Sequence, residues 1–143
     1  MEILRATKLW QHAGAYYVRI QGMSRQHNIS PEQEFDQYDT PETKYILALC
    51  DDFPVATCRW YGCDDGIAEI GRVVVLPEYR NQGIGRSVIE HAEIWIHESG
   101  YKKIVVKSRD VAVPFYEKLG YVPDHDIKLE NPPFCCIYMD KEI

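Results

Sequence analysis

The run Arg80-Asn81-Gln82-Gly83-Ile84-Gly85-Arg86-Ser87 holds residues whose types and spacing suit an anion. Gly83 and Gly85 let the backbone approach a ligand closely and take dihedrals that a Cβ forbids. Apolar residues recur at helical spacing immediately afterwards, so the free N–H groups of a helical first turn point at the same spot. A helix N-terminus carries about half a positive charge, and Arg80 and Arg86 flank this one; phosphate or pyrophosphate is the natural guest. Glycine spacing of this kind also opens dinucleotide and P-loop sites. Here the third glycine of the dinucleotide fingerprint is replaced by Val88, and no Gly-Lys-Ser/Thr follows.

The elements that must position this loop are legible around it. Val73, Val74 and Val75 form a β-branched run that fits a strand buried on both faces, and Pro77 cannot donate to a ladder and ends it. Ile84, Val88, Ile89, Ala92, Trp95 and Ile96 fall on one helical face, and Gly100 stands where a left-handed cap is expected. Lys103 to Lys107 is a short apolar strand that closes a β-helix-β unit and implies a parallel pair. Upstream, Tyr45 to Cys50 and Val55 to Tyr61 read as strands joined near Asp51-Asp52-Phe53-Pro54, and Cys63-Asp64-Asp65-Gly66 makes the next turn. Three antiparallel strands therefore lead to the loop.

Toward the N-terminus, Ile3 to Ala6 suggests a short strand. Leu9, Trp10, Ala13, Tyr16, Tyr17 and Ile20 then recur at helical spacing, a stripe expected to face the core, with Thr7 as its cap. Arg25 to Thr43, with Pro31 and Pro41, reads as a long polar loop of the kind that is functional or mobile. Toward the C-terminus, Ala112, Phe115, Tyr116 and Leu119 share a helical face, Pro114 belongs in the first turn and Gly120 stops the helix. Glu130-Asn131-Pro132-Pro133 reads as a turn before a final strand from Phe134 to Met139. The fold class is α/β with a mixed, mostly antiparallel sheet, and residues 1–143 are expected to form one domain.

At 143 residues the chain can bury about 70% of the surface that its unfolded form exposes. Its net charge of −6 argues against a nucleic-acid partner, which calls for a basic face, while leaving room for a local cationic pocket. Five cysteines, an odd number that includes the adjacent pair Cys135-Cys136, fit a reducing cytoplasm. No charged leader with an apolar signal segment is visible, and no apolar run has the ~20 residues of a membrane span. Metal binding is not expected, because Cys58 and Cys63 stand too far apart for a close pair and the five histidines are scattered.

What remains of the loop, Arg80-x-Gln82-Gly83-x-Gly85, resembles the acetyl-CoA pyrophosphate loop of the GCN5-related N-acetyltransferase (GNAT) superfamily. Pro114-Phe115-Tyr116-Glu117-Lys118-Leu119-Gly120-Tyr121 resembles its second signature. Arg19 with Gln33-Glu34-Phe35-Asp36-Gln37-Tyr38-Asp39, and the C-terminal tail, resemble the ElaA/YjcF-like branch; a related acidic pattern occurs in acyl-homoserine-lactone synthases, which share the fold. Where the branch often has Val-Phe, this chain has Gly22-Met23. The acidic loop carries two readings, carboxylates that orient a cationic or amine substrate, or a solvated loop whose aspartates cap turns.

The resemblance implies a GNAT fold, acetyl-CoA as acyl donor, and transfer of acetyl to a primary amine of a small molecule or a protein by direct attack on the thioester. It implies cofactor contacts from Val73, Val74, Val75, the Arg80 to Ser87 loop, Arg109, Phe115 and Tyr116. Arg109 stands where many members have an asparagine that contacts the pantetheine arm. Glu69 falls on the strand where some members carry a catalytic glutamate; otherwise it is a strand carboxylate paired to Arg72. Tyr116 takes the position of the proton donor to the leaving thiolate, or else is a core aromatic. A free backbone N–H near Val74 or Val75, where the strand splays, would stabilise the developing oxyanion. Synthesis of acyl-homoserine lactones and non-catalytic acyl-CoA sensing are the alternative functions, and a homodimer is an open expectation.

Overall fold

The computed structural model describes residues 1–131 and 134–143, and their side chains apart from those of Lys128, Glu130 and Asn131. The chain runs β1 (Glu2–Arg5), α1 (Leu9–Arg19), a π-turn (Ile20–Ser24), α2 (Arg25–His27), α3 (Pro31–Glu34), β2 (Lys44–Cys50), β3 (Phe53–Gly62) and β4 (Ile67–Val75). It continues through a 3-10 turn (Pro77–Tyr79), α4 (Ile84–Glu98), β5 (Lys103–Arg109), a second 3-10 turn (Asp110–Ala112), α5 (Val113–Lys118), β6 (Val122–Asn131) and β7 (Phe134–Glu142). The seven strands make one mixed sheet in the order β1-β2-β3-β4-β5-β7-β6. β4 and β5 pair parallel, and the other neighbours pair antiparallel.

Local chemistry explains the connections. Asp51 and Asp52 both take positive φ, 48° and 68°, which gives the β2–β3 hairpin the twist that a two-residue loop needs. Helix α4 buries Ile84, Val88, Ile89, Ala92 and Ile96, as its periodicity predicts, against Ile46, Trp60, Ile70, Ile104 and Val106 of the sheet. Gly100, at φ 95°, ends it. Pro114 sits in the first turn of α5, and Gly120, at φ 96°, follows it.

The first helix departs from its predicted face. Leu9 is 88% exposed, Trp10 51% and Tyr17 48%, whereas Gln11, Gly14, Ala15, Val18 and Arg19 are buried. Small residues decide this. A Cβ on Gly14 would stand 2.9 Å from Pro54 Cγ and 3.1 Å from Leu47 Cδ2, so the helix lies close on β2 and β3 through Gly14 and Ala15; Leu9, Trp10, Ala13 and Tyr17 are left outside, while Tyr16 packs half-buried against Tyr45 and Phe35. Thr7 is not the cap either: the helix starts after Lys8, and Gln11 Oε1 accepts from the N–H groups of Thr7 (2.7 Å) and Lys8 (2.9 Å).

Two further expectations change. Arg25 to Thr43 is not irregular throughout, because α2 and α3 carry helical structure through most of its first half. β6 is a strand that the sequence reading passed over. It is polar, contains Pro123, lies at the sheet edge and shifts register between Asp124 and Lys128, so it lacks the alternation that marks a half-buried strand. The predicted final strand is β7, which extends to Glu142 and lies between β5 and β6. Glu130 and Asn131 belong to β6, and the Pro132-Pro133 part of the predicted turn lies outside the described residues. No described helix is long and apolar enough to cross a membrane.

Candidate active site

The site begins where two parallel strands part. β4 and β5 pair from Ile67–Lys103 only as far as Ile70–Val106. Arg72 then takes φ 50°, costly for a residue with a Cβ, and the β3–β4 register shifts opposite it. Beyond this bulge β5 stays with β7 while β4 stays with β3, and a cleft opens between them. The Leu76 N–H donates to Val55 O at 2.9 Å on the β3 side. The alternation of an antiparallel ladder sends the Val74 N–H the same way and turns those of Val73 and Val75 toward the cleft.

One half of the cleft, with a volume of about 580 Å³, runs along Val73, Val74 and Val75 to the glycine loop. Gly83 caps α4 in the left-handed region at φ 79°, and Asn81 precedes it at φ 63°. The first intrahelical bond here is from Ser87 N to Gly83 O, which leaves the N–H groups of Ile84, Gly85 and Arg86 pointing out of the helix end. A Cβ on Gly85 would rest 3.5 Å from both Phe115 Cζ and Val75 Cγ2, across the space that the loop and α5 leave between them. Arg80 Nε donates to Val75 O (2.9 Å), while Arg86 Nε pairs with Glu90 (2.7 Å). Gln82 and Ser87 do not line this half: Gln82 Nε2 reaches Glu78 O, and Ser87 Oγ donates to Gly83 O.

At the waist, Arg109, His27, Met23, Val73 and Ala112 line both halves. The Arg109 guanidinium lies 4.1 Å over the Phe134 ring, and its buried Nε has no hydrogen-bond partner. His27 stands edge-on to Phe134; burial, then Arg109 and Arg80, push its pKa below the usual imidazole value. Tyr116 belongs to the second half. It is 92% buried between Phe115 and Tyr121, and desolvation raises its phenol, so the hydroxyl keeps its proton at any physiological pH.

The second half, about 680 Å³, is framed by α2, α3, the Gly71–Val73 bulge and the end of β5. Its outer wall hangs on a buried ionic network. Arg19 Nε donates to Glu34 (2.9 Å) and Arg19 Nη1 to Asp39 (2.6 Å), while Arg59 Nη1 reaches Asp36 (2.8 Å) and Asp39 (3.0 Å). Arg72 is held by Glu34 (3.3 Å) and Asp36 (3.2 Å), and its Nε also donates to Glu34 O (3.1 Å). Burial alone would raise the Asp39 carboxyl; the hydrogen bonds from Arg19 and Tyr45 overrule it and hold the group below the ordinary carboxylate range. Asp36 and Asp39 do cap the turn around Tyr38, but these acids are ion-paired rather than solvated.

Glu69 lines neither half. Its carboxylate pairs with Lys107 at 3.5 Å, and not with Arg72, and it helps to keep the opposed Tyr61 phenol protonated after burial. Lys107, however, lines the second half, which puts Glu69 one side chain behind its wall. His27, Lys107 and the Arg72 bulge escaped the sequence reading. A histidine in a polar segment and a basic residue in a short strand carry no periodic signal, and a bulge at arginine has no glycine to announce it.

Residues 6–121 match the family model described as acetyltransferase (GNAT) family. The chain belongs to this family. It is 30% identical over 107 residues, 75% of this chain and of its relative, to the uncharacterized N-acetyltransferase YjcF of Bacillus subtilis. The backbone matches the crystal structure of a protein from Lactobacillus plantarum assigned as an N-acetyltransferase with a TM-score of 0.91 and 27% identity, over 99% of this chain and 97% of that one. Escherichia coli ElaA, at 22% identity, shares the fold with a TM-score of 0.82 over 99% of both chains. The chain is thus a GNAT acyltransferase of the YjcF-like kind, and it shares its fold with ElaA.

Proposed function

We propose that this chain is an acetyl-CoA-dependent N-acetyltransferase that passes the acetyl group to a primary amine by direct attack. The observation that carries the reading is the cleft itself. It runs from the outward N–H groups of Ile84, Gly85 and Arg86, between the parted strands, to the buried Tyr116 phenol. The donor supplies a thioester carbonyl open to attack and a thiolate leaving group.

The residues present fit that donor. The first turn of α4, with Arg80 and Arg86 beside it, suits a pyrophosphate; Val73 to Val75 offer an apolar wall with cleft-facing N–H groups for an amide-bearing arm. Arg109, in place of the family's asparagine, lines the same half at the waist of the cleft. The Val75 N–H is our candidate for the charge that grows on the carbonyl oxygen. The amine nitrogen bonds the carbonyl carbon, the C–S bond breaks, and Tyr116 gives its proton to the departing sulfur. The amine's own surplus proton must leave before or during attack, since an amine of pKa near 10 is mostly protonated at pH 7. Glu69, behind Lys107, remains our candidate for accepting it, through water.

Thiol release from acetyl-CoA with a panel of primary amines, measured beside acetyl-CoA binding by calorimetry, tests the reading. Amine-dependent release with binding is expected. Binding without release for any amine would return the chain to a sensor, and no binding at millimolar donor would remove the reading.

A further inference from the structure

Resting on that reading, we infer that the acceptor amine carries an anionic group, held by Lys107 and Arg109 at the end of β5. The two side chains stand two residues apart, hence on one face of the strand about 7 Å from each other, and both line the acceptor half of the cleft. They differ in how far their charge is met. Arg109 has no acidic partner among the described residues, its Nε is a buried donor without an acceptor, and its field helps depress His27. Lys107 meets one carboxylate, Glu69, at 3.5 Å, and its side chain is 43% exposed.

Among the described residues, the remaining charges of this half leave no place for a second cation. Its one lining carboxylate among the described residues, Glu34, is taken by Arg19 at 2.9 Å and Arg72 at 3.3 Å. Arg72 is in turn shared with Asp36. A diamine would bring its far ammonium against Lys107 and Arg109 with no free acid among the described residues to receive it. A carboxylate or phosphate there would accept from both donors, with Ile70, Val106 and Met23 as apolar walls for the carbons between.

The experiment compares glycine, β-alanine and 4-aminobutyrate with their amides, with phosphoethanolamine and with 1,3-diaminopropane. It reads kcat/KM per unprotonated amine, and Kd by calorimetry in the CoA-loaded protein. The acid-bearing amines should exceed their amides about tenfold or more, and phosphoethanolamine against β-alanine tells a phosphate from a carboxylate. In Lys107→Gln the acid-to-amide ratio should collapse toward one while the Kd for acetyl-CoA stays within about twofold. Lys107→Glu should turn the preference toward the diamine. Amides or the diamine performing as well as the acids, or a ratio untouched by Lys107→Gln, overturns the inference while leaving N-acetyl transfer standing. If no amine turns over, equal Kd values for acids and amides overturn it as well. Loss of acetyl-CoA binding itself strikes the underlying reading instead.

Discussion

The two halves of the cleft are built on opposite plans. The half beside the glycine loop is local: one strand end, one turn and one helix start, within 14 residues from Val73 to Arg86, supply most of its lining residues, and it presents outward backbone N–H groups. The second half is assembled from distant pieces, α2 and α3, the β4 bulge, β5 and Phe134, and charged side chains hold its outer wall in place. A local plan resists most substitutions except at its glycines. A dispersed one fails wherever its ionic network is cut.

The largest effect should come from cutting that network. Arg19→Ala takes the fully buried partner from Glu34 and Asp39, leaving Glu34 to Arg72 and Asp39 to Arg59 and Tyr45; loss of one partner of a buried ion pair costs about 3–5 kcal/mol, readable in urea unfolding. Its pH dependence sharpens the comparison. Asp39 has its folded value depressed below the unfolded one, so its contribution is complete above the unfolded value, near 4, and is lost as pH falls through the folded value. Wild type should therefore hold its stability down to about pH 4–5 and lose it below, and Arg19→Ala should lose much of that acid slope. An equal loss of stability for Arg86→Ala, whose ion pair is exposed, would break the contrast.

Tyr116→Phe tests the place where the halves meet. It keeps the ring between Phe115 and Tyr121 but removes the proton, so kcat should fall about 10²-fold with little change in acetyl-CoA affinity. The loss should shrink with an acyl donor of lower thiol pKa; an equal fractional loss with both donors would make Tyr116 a wall only. A smaller, pH-dependent effect is expected of Glu69→Gln: turnover falls most near neutrality and recovers in part as pH rises and free amine becomes available. A uniform loss across pH would assign Glu69 to holding Lys107. Smallest of all, Leu9→Ser should leave stability within about 0.5 kcal/mol in the same unfolding assay, since the side chain lies outside the packed face of α1.

The same division governed what could be read from the amino acids. The Arg80 to Ser87 turn, the α4 periodicity, the Asp51-Asp52 hairpin and the Pro114 and Gly120 bounds of α5 are settled by residues close in sequence, and each was legible. The packed face of α1 was not, because Gly14 and Arg19 matter through partners at Pro54, Leu47 and Asp39 that no period reports. β6 was missed because an edge strand need not be apolar on either face. The acidic loop showed its charges but not their partners, and the Arg72 bulge, which opens the cleft, shows itself only once β4 has a neighbour on each side.

Calorimetric titration of acetyl-CoA into wild type and Gly85→Val tests the central claim most directly. A valine here fills the space beside Phe115 and Val75 without demanding positive φ, so the variant should keep its far-UV spectrum. Wild type should bind with one-to-one stoichiometry and gain about 2.7 kcal/mol of stability at a hundredfold excess over Kd, while Gly85→Val should bind at least about 100-fold more weakly. Equal affinity in the two proteins would show that the glycine loop is not the site, and the reading built on it would fall.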